Sequence, residues 1–134
     1  MRKLIFMLVL IGWSSCDKDK SYTIRVENKT TKAIQVTAGY PGFGMYSYPD
    51  TTLPASKPSL TYVEVNDYNY LINRFKWDQE ILKLPNDTLS IFVFSADTIK
   101  AYKWSEIKAG YKVLKRYDLS LQDLEKSNWT VTYP

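Results

Sequence analysis

Histidine is absent from this chain of 134 residues, and cysteine occurs once. Without imidazole there is no histidine general base, no Ser-His-Asp or Cys-His nucleophile pair and no histidine-ligated zinc. Carboxylates, lysines and tyrosines are the main side chains left for acid–base work. The composition therefore points away from an enzyme and away from a metal or other cofactor. A single cysteine also rules out an intramolecular disulfide. Long apolar runs are missing too: Leu4 to Ile11 spans eight residues, against the roughly 20 that a membrane-crossing helix needs. Charge of one sign is scarcely in excess, with 18 Lys+Arg against 14 Asp+Glu, and Arg2 and Lys3 at the extreme N-terminus account for half of the +4. The basic residues are interspersed with acids and form no stripe that would track phosphates, so nucleic acid is not an expected partner.

What the chain does have is a leader. Arg2 and Lys3 make a positive start, Leu4 to Ile11 an apolar centre, and Trp13-Ser14-Ser15 a short stretch of mostly small residues before Cys16, the plan of a cleavable signal peptide over residues 1–15. The ending resembles the lipobox of bacterial lipoproteins, with Ser14 and Ser15 matching its small residues and Trp13 departing from its usual aliphatic one. That resemblance implies that Cys16 is acylated with palmitate-type chains and becomes the new N-terminus. Acyl burial contributes roughly 0.8 kcal/mol per methylene, so more than one chain makes a lasting anchor. Residues 16–21, Cys-Asp-Lys-Asp-Lys-Ser, are too polar to order themselves and read as a tether. Acids just after such a cysteine resemble the surface-export signal of Bacteroidetes-type lipoproteins, which implies a lipid-anchored protein on the outer face of the outer membrane.

Residues 22–134 read as one β-rich domain. Tyr22, Ile24 and Val26 alternate with polar residues, residues 28–32 supply a turn, and Ala33 to Thr37 continue as the second strand of an expected hairpin. Between Gly39 and Pro58, three glycines and four prolines exclude any long regular element. Leu60 to Val65 resumes as strand. Trp77, Ile81 and Leu84 recur at helical spacing before Pro85 stops the run. Thr88 to Phe94 is the most apolar stretch and the expected central strand, with a turn at Ser95-Ala96-Asp97. Ser105 is the expected N-cap of a turn of helix ending near Gly110, and Tyr111 to Leu119 returns to strand. Ser120 with Asp123 has capping-box spacing for a last short helix. Trp129, Val131 and Tyr133 share one face of a final strand. The sum is a mainly-β fold, an antiparallel sandwich or partly open barrel with one to three short helices.

Tyr48-Pro-Asp-Thr-Thr-Leu-Pro54, Arg116-Tyr-Asp-Leu-Ser-Leu-Gln-Asp-Leu124 and Asn128-Trp-Thr-Val-Thr-Tyr-Pro134 resemble a group of small uncharacterised lipoproteins of Bacteroidetes-type bacteria. The resemblance implies an envelope location and brings no activity with it.

Aromatic residues supply the candidate site, for the chain holds 11 Tyr, 4 Trp and 5 Phe. Tyr40, Phe43, Tyr46 and Tyr48 crowd one loop at residues 39–54, where they can stack on sugar rings or on a protein, or fold back to close one end of the sandwich. Asp78 and Glu80 would point to different faces of a helix and read as solvated acids rather than the paired carboxyls of a glycosidase. Asp50-Thr51-Thr52, Asp87-Thr88-Leu89 and Asp97-Thr98-Ile99 are similar to the O-glycosylation acceptor pattern of Bacteroidetes envelope proteins, which implies modification at Thr51, Thr88 and Thr98. The same triplets are good turn-to-strand chemistry. The reading is of a non-catalytic module capturing a glycan or an envelope protein through loop 39–54. Its alternatives are an accessory subunit that joins an outer-membrane complex by a sheet edge and, lower, a carboxylate-dependent hydrolase.

Overall fold

A computed structural model describes residues 22–134; the leader, Cys16 and the tether lie outside the described residues. Seven strands form two mostly antiparallel sheets, packed as a mainly-β sandwich that stays open and does not close into a barrel. One sheet has the order β4 (Tyr68–Ile72), β1 (Thr23–Asn28), β7 (Thr130–Tyr133), with β7 parallel to β1. The other has the order β3 (Thr61–Val63), β2 (Ile34–Ala38), β5 (Thr88–Ser95), β6 (Lys115–Ser120). Four short helices are added: α1 (Trp77–Ile81), α2 (Ala96–Ala101), α3 (Trp104–Gly110) and α4 (Leu121–Lys126).

The expected hairpin of the first two strands does not form. β1 pairs with β4 and β7, β2 with β3 and β5, so the turn between β1 and β2 carries the chain from one sheet to the other. Asn28, fully buried, makes that crossing. Its Oδ1 accepts from the Thr30 N–H at 3.0 Å and hydroxyl at 2.7 Å, which curls the turn. Its Nδ2 donates to the carbonyls of Lys32 at 2.8 Å and Glu64 at 3.3 Å, tying the end of β1 to the end of β3. The alternation read in both strands is then satisfied face to face: Ile24 and Val26 from one sheet meet Ile34 and Val36 from the other in one core.

β5 is the central strand, and its continuous apolar run has a plain cause. Leu89, Ile91 and Val93 face the core between the sheets, whereas Phe92 and Phe94 face the opposite way into a second cluster with Met45, Leu53, Ile99 and Ile107. A strand covered on both sides cannot alternate. The second cover is built from loop and helix, and here the structure adds a helix to the sequence reading. Ser95-Ala96-Asp97 is not a free turn but the start of α2, with Ser95 Oγ accepting from the Thr98 N–H at 3.3 Å. In α3 the N-cap is Lys103 and not Ser105, and Glu106 closes it by accepting from the Lys103 N–H at 2.9 Å. The next strand starts only at Lys115, because Val113 turns aside to pack on the second cluster.

The capping box of α4 is present, with the Asp123 N–H donating to Ser120 Oγ at 3.1 Å and the Ser120 N–H to Asp123 Oδ2 at 2.9 Å. Trp129, Val131 and Tyr133 all pack on the first core. Beside them the Tyr117 hydroxyl donates to the Thr132 carbonyl at 3.1 Å, fastening β6 to β7 where the two sheets meet.

Candidate functional site

The loop after β2 leaves the sheet at Gly39, whose N–H donates to the Ser90 carbonyl at 2.6 Å. A side chain here would meet the Tyr46 carbonyl oxygen at 3.0 Å and Ser90 Cβ at 3.1 Å, so only glycine fits without a shift of backbone. Pro41–Phe43 then form one 3-10 turn, closed by Gly44 in the left-handed region at φ 77°. The turn presents Tyr40 and Phe43 to Trp77 at the start of α1. The Tyr40 ring meets the indole edge-on at 5.5 Å, and the Phe43 ring stacks on it at 5.8 Å. Trp77 is fully buried and donates from Nε1 to the Leu71 carbonyl at 3.3 Å. One indole thus positions loop, strand β4 and helix α1 together.

Between the loop and the segment that links β4 to α1 lies an open groove of about 540 Å³. Tyr40 and Phe43 line one side, Ile72, Asn73, Arg74 and Phe75 the other, and Glu80 and Lys83 close one end. Its polar centre is a chain of three side chains. The Tyr40 hydroxyl donates to Glu80 Oε2 at 2.6 Å, and Lys83 Nζ donates to Glu80 Oε1 at 2.8 Å. These two donors hold the Glu80 carboxyl below the usual carboxylate range, Lys83 contributing more than Tyr40, while burial works in the opposite direction. Burial first, and then the Glu80 carboxylate, pushes the Tyr40 hydroxyl up. Lys83 is likewise raised, by its bond to Glu80 and the attraction of that charge.

Asn73 completes the site. It is 8% exposed, and its Oδ1 accepts from the Arg74 N–H at 2.9 Å. Its Nδ2 lies close enough to the Tyr40 hydroxyl to favour the charged form of that group, yet it is buried without a hydrogen-bond partner. A buried donor left unpaired costs about 1–3 kcal/mol.

Of the four aromatic residues singled out in the loop, the structure brings Tyr40 and Phe43 to the groove and does not bring Tyr46 or Tyr48 there. Tyr46 is 48% exposed on the surface and Tyr48 is half-buried. Glu80 is not the solvated acid its sequence context suggests; it is buried beneath Tyr40, whereas Asp78 stays outside the groove with Oδ1 on the Gln79 N–H. Glu80 is the one carboxylate among the lining residues, so the groove holds no pair of the kind glycosidases use. Asn73, Arg74, Phe75 and Lys83 carry no motif. The three-residue spacing of Glu80 and Lys83 on a short helix is the one local sign of this site.

Thr51, Thr88 and Thr98 are each half-buried. Thr51 sits in an Asx turn that Asp50 closes on Thr52 at 2.9 Å, and Thr88 opens β5 with its hydroxyl on the Asn86 carbonyl at 2.9 Å. Thr98 lies inside the first turn of α2 and not at a turn before a strand. Among the described residues no helix is long and apolar enough to cross a membrane. No group of three or more acids, cysteines or histidines gathers there to hold a metal ion. No protein-family model, curated protein or solved structure matches the chain.

Proposed function

We propose that this chain is a lipid-anchored binding module of the bacterial cell envelope, held at the outer membrane through Cys16, and that its groove captures a saccharide. The observation that carries the reading is an open groove whose far wall is the 55% exposed ring of Phe75 and whose end holds the Glu80–Lys83 ion pair. Sugar recognition calls for an apolar plate under the ring and a few fixed polar groups around its rim. Phe75 and Ile72 supply the plate; Asn73, Glu80 and Lys83 supply the rim. The aromatic loop contributes to this site through Tyr40, Pro41, Gly42 and Phe43 alone, with Tyr40 fixing the acid.

A second reading, attachment to an envelope protein, draws on β4. This strand ends its sheet and exposes Tyr68, Tyr70 and Ile72 on one face, with the Arg25 guanidinium 3.6 Å above the Tyr68 ring. Affinity electrophoresis of the full-length protein in nonionic detergent, through gels containing host and plant polysaccharides, separates the two. Retardation is expected in at least one gel. Phe75→Ala should abolish it and Tyr46→Ala should leave it unchanged. Free migration in every gel would discard the saccharide reading and favour the protein partner.

A further inference from the structure

The strongest hydrogen-bonding groups left with capacity in the groove are cationic donors. Both oxygens of Glu80 already have donors, Tyr40 on Oε2 and Lys83 on Oε1. Asn73 Oδ1 is occupied by the Arg74 N–H. What remains to a ligand is led by donors: the Lys83 protons not directed at Glu80 and the Arg74 guanidinium. Arg74 makes no ion pair among the described residues and lies 5.7 Å from the centre of the Phe75 ring. Ser59, at the edge, carries a hydroxyl that can turn either way. Charge agrees with this count, for Arg74 and Lys83 line the groove against the single carboxylate of Glu80.

A neutral sugar meets such a site poorly. Each of its hydroxyls donates as well as accepts, and it offers no charge to the Arg74 guanidinium. A carboxylate or phosphate only accepts, and a guanidinium beside an ammonium is the pairing that binds it most strongly. Resting on the saccharide reading above, we infer that the ligand is an acidic saccharide whose carboxylate or phosphate is held by Arg74 and Lys83, with the sugar ring against Phe75.

Calorimetric titration of the full-length protein with matched pairs tests this: trigalacturonate and its methyl ester, sialyllactose and lactose, glucose 6-phosphate and glucose, with inorganic phosphate as the sugar-free anion. At least one acidic member should bind tenfold or more tightly than its neutral partner, and the advantage should shrink as salt is raised. Arg74→Gln should cut that advantage below threefold without moving the melting temperature, since Arg74 is exposed. Equal binding within every pair would overturn the acidic ligand and leave the saccharide reading standing. An advantage that survives Arg74→Gln would overturn this placement of the anion. Inorganic phosphate matching glucose 6-phosphate, or no binding by any of the six sugars, would overturn both readings.

Discussion

The loop from β2 to β3 has two halves built from the same kinds of residue and put to opposite uses. Residues 39–44 fold as one tight turn over Trp77 and leave Tyr40 and Phe43 half-buried at the rim of a groove. Residues 45–58 run across the outer side of β5, where Met45 and Leu53 are buried with Phe92 and Phe94, and the Pro54 carbonyl accepts from Trp104 Nε1 at 2.8 Å. The first half meets a surface that covers its aromatic rings only in part, the second a surface that buries Met45 and Leu53. Aromatic and apolar residues beside glycine and proline therefore carry no fixed meaning. What they face decides whether they become a binding wall or a core.

The sharpest way to break this contrast is to empty each half of its anchor. Trp77→Ala should cost about 3–5 kcal/mol and Leu53→Ala about 2–5 kcal/mol in denaturant unfolding, because both side chains are fully buried. The two should part company in binding: ligand capture is expected to vanish with Trp77→Ala and to persist in the folded fraction of Leu53→Ala. Loss of binding in both variants would mean that the two halves act as one unit.

A smaller effect is expected at Glu80, which belongs to the groove half alone. Its carboxyl titrates lower in the folded chain than in an unfolded one. Its stabilising contribution is therefore present above the ordinary carboxylate value of about 4.3 and is lost as pH falls through the folded value. Glu80→Gln should accordingly lose less melting temperature than the parent protein between pH 6 and pH 3. Parallel acid profiles for the two proteins would show that the Tyr40–Glu80–Lys83 chain contributes nothing to the fold. The smallest effect should come from Tyr46→Ala, within about 0.5 kcal/mol in stability, as expected of a surface side chain. A larger loss would show that Tyr46, near the start of the second half, braces the two.

Much of the fold was legible in the residues because its signals are local. The two-residue alternation of β1, β2 and β7, the apolar run of β5 and the Ser120–Asp123 box each operate within a few positions, whereas α1 ends at Ile81, ahead of the stop expected at Pro85. Pairing was less legible. Asn28 looks like an ordinary turn residue, and only its reach to the Glu64 carbonyl, 36 positions on, reveals a crossing between sheets. Ser95 likewise suits a turn and a helix cap equally well, and α2 forms because Ile99 has Phe92 and Phe94 to pack against.

The candidate site was legible only in its first two aromatics. Tyr40 and Phe43 announced themselves by their company of glycine and proline, and so did Tyr46 and Tyr48, which the fold places elsewhere. Glu80 was indistinguishable from a solvated acid, because nothing within a helical turn of it says that a tyrosine 40 positions earlier will cover it.

By itself, then, the sequence determined the periodic elements, the caps and the stretch where regular structure must stop, since short-range sterics and hydrogen bonds act between near neighbours. Only the tertiary structure decided which faces meet, which acid is buried and which amide is left unpaired, because burial and desolvation depend on residues that chain order keeps far apart.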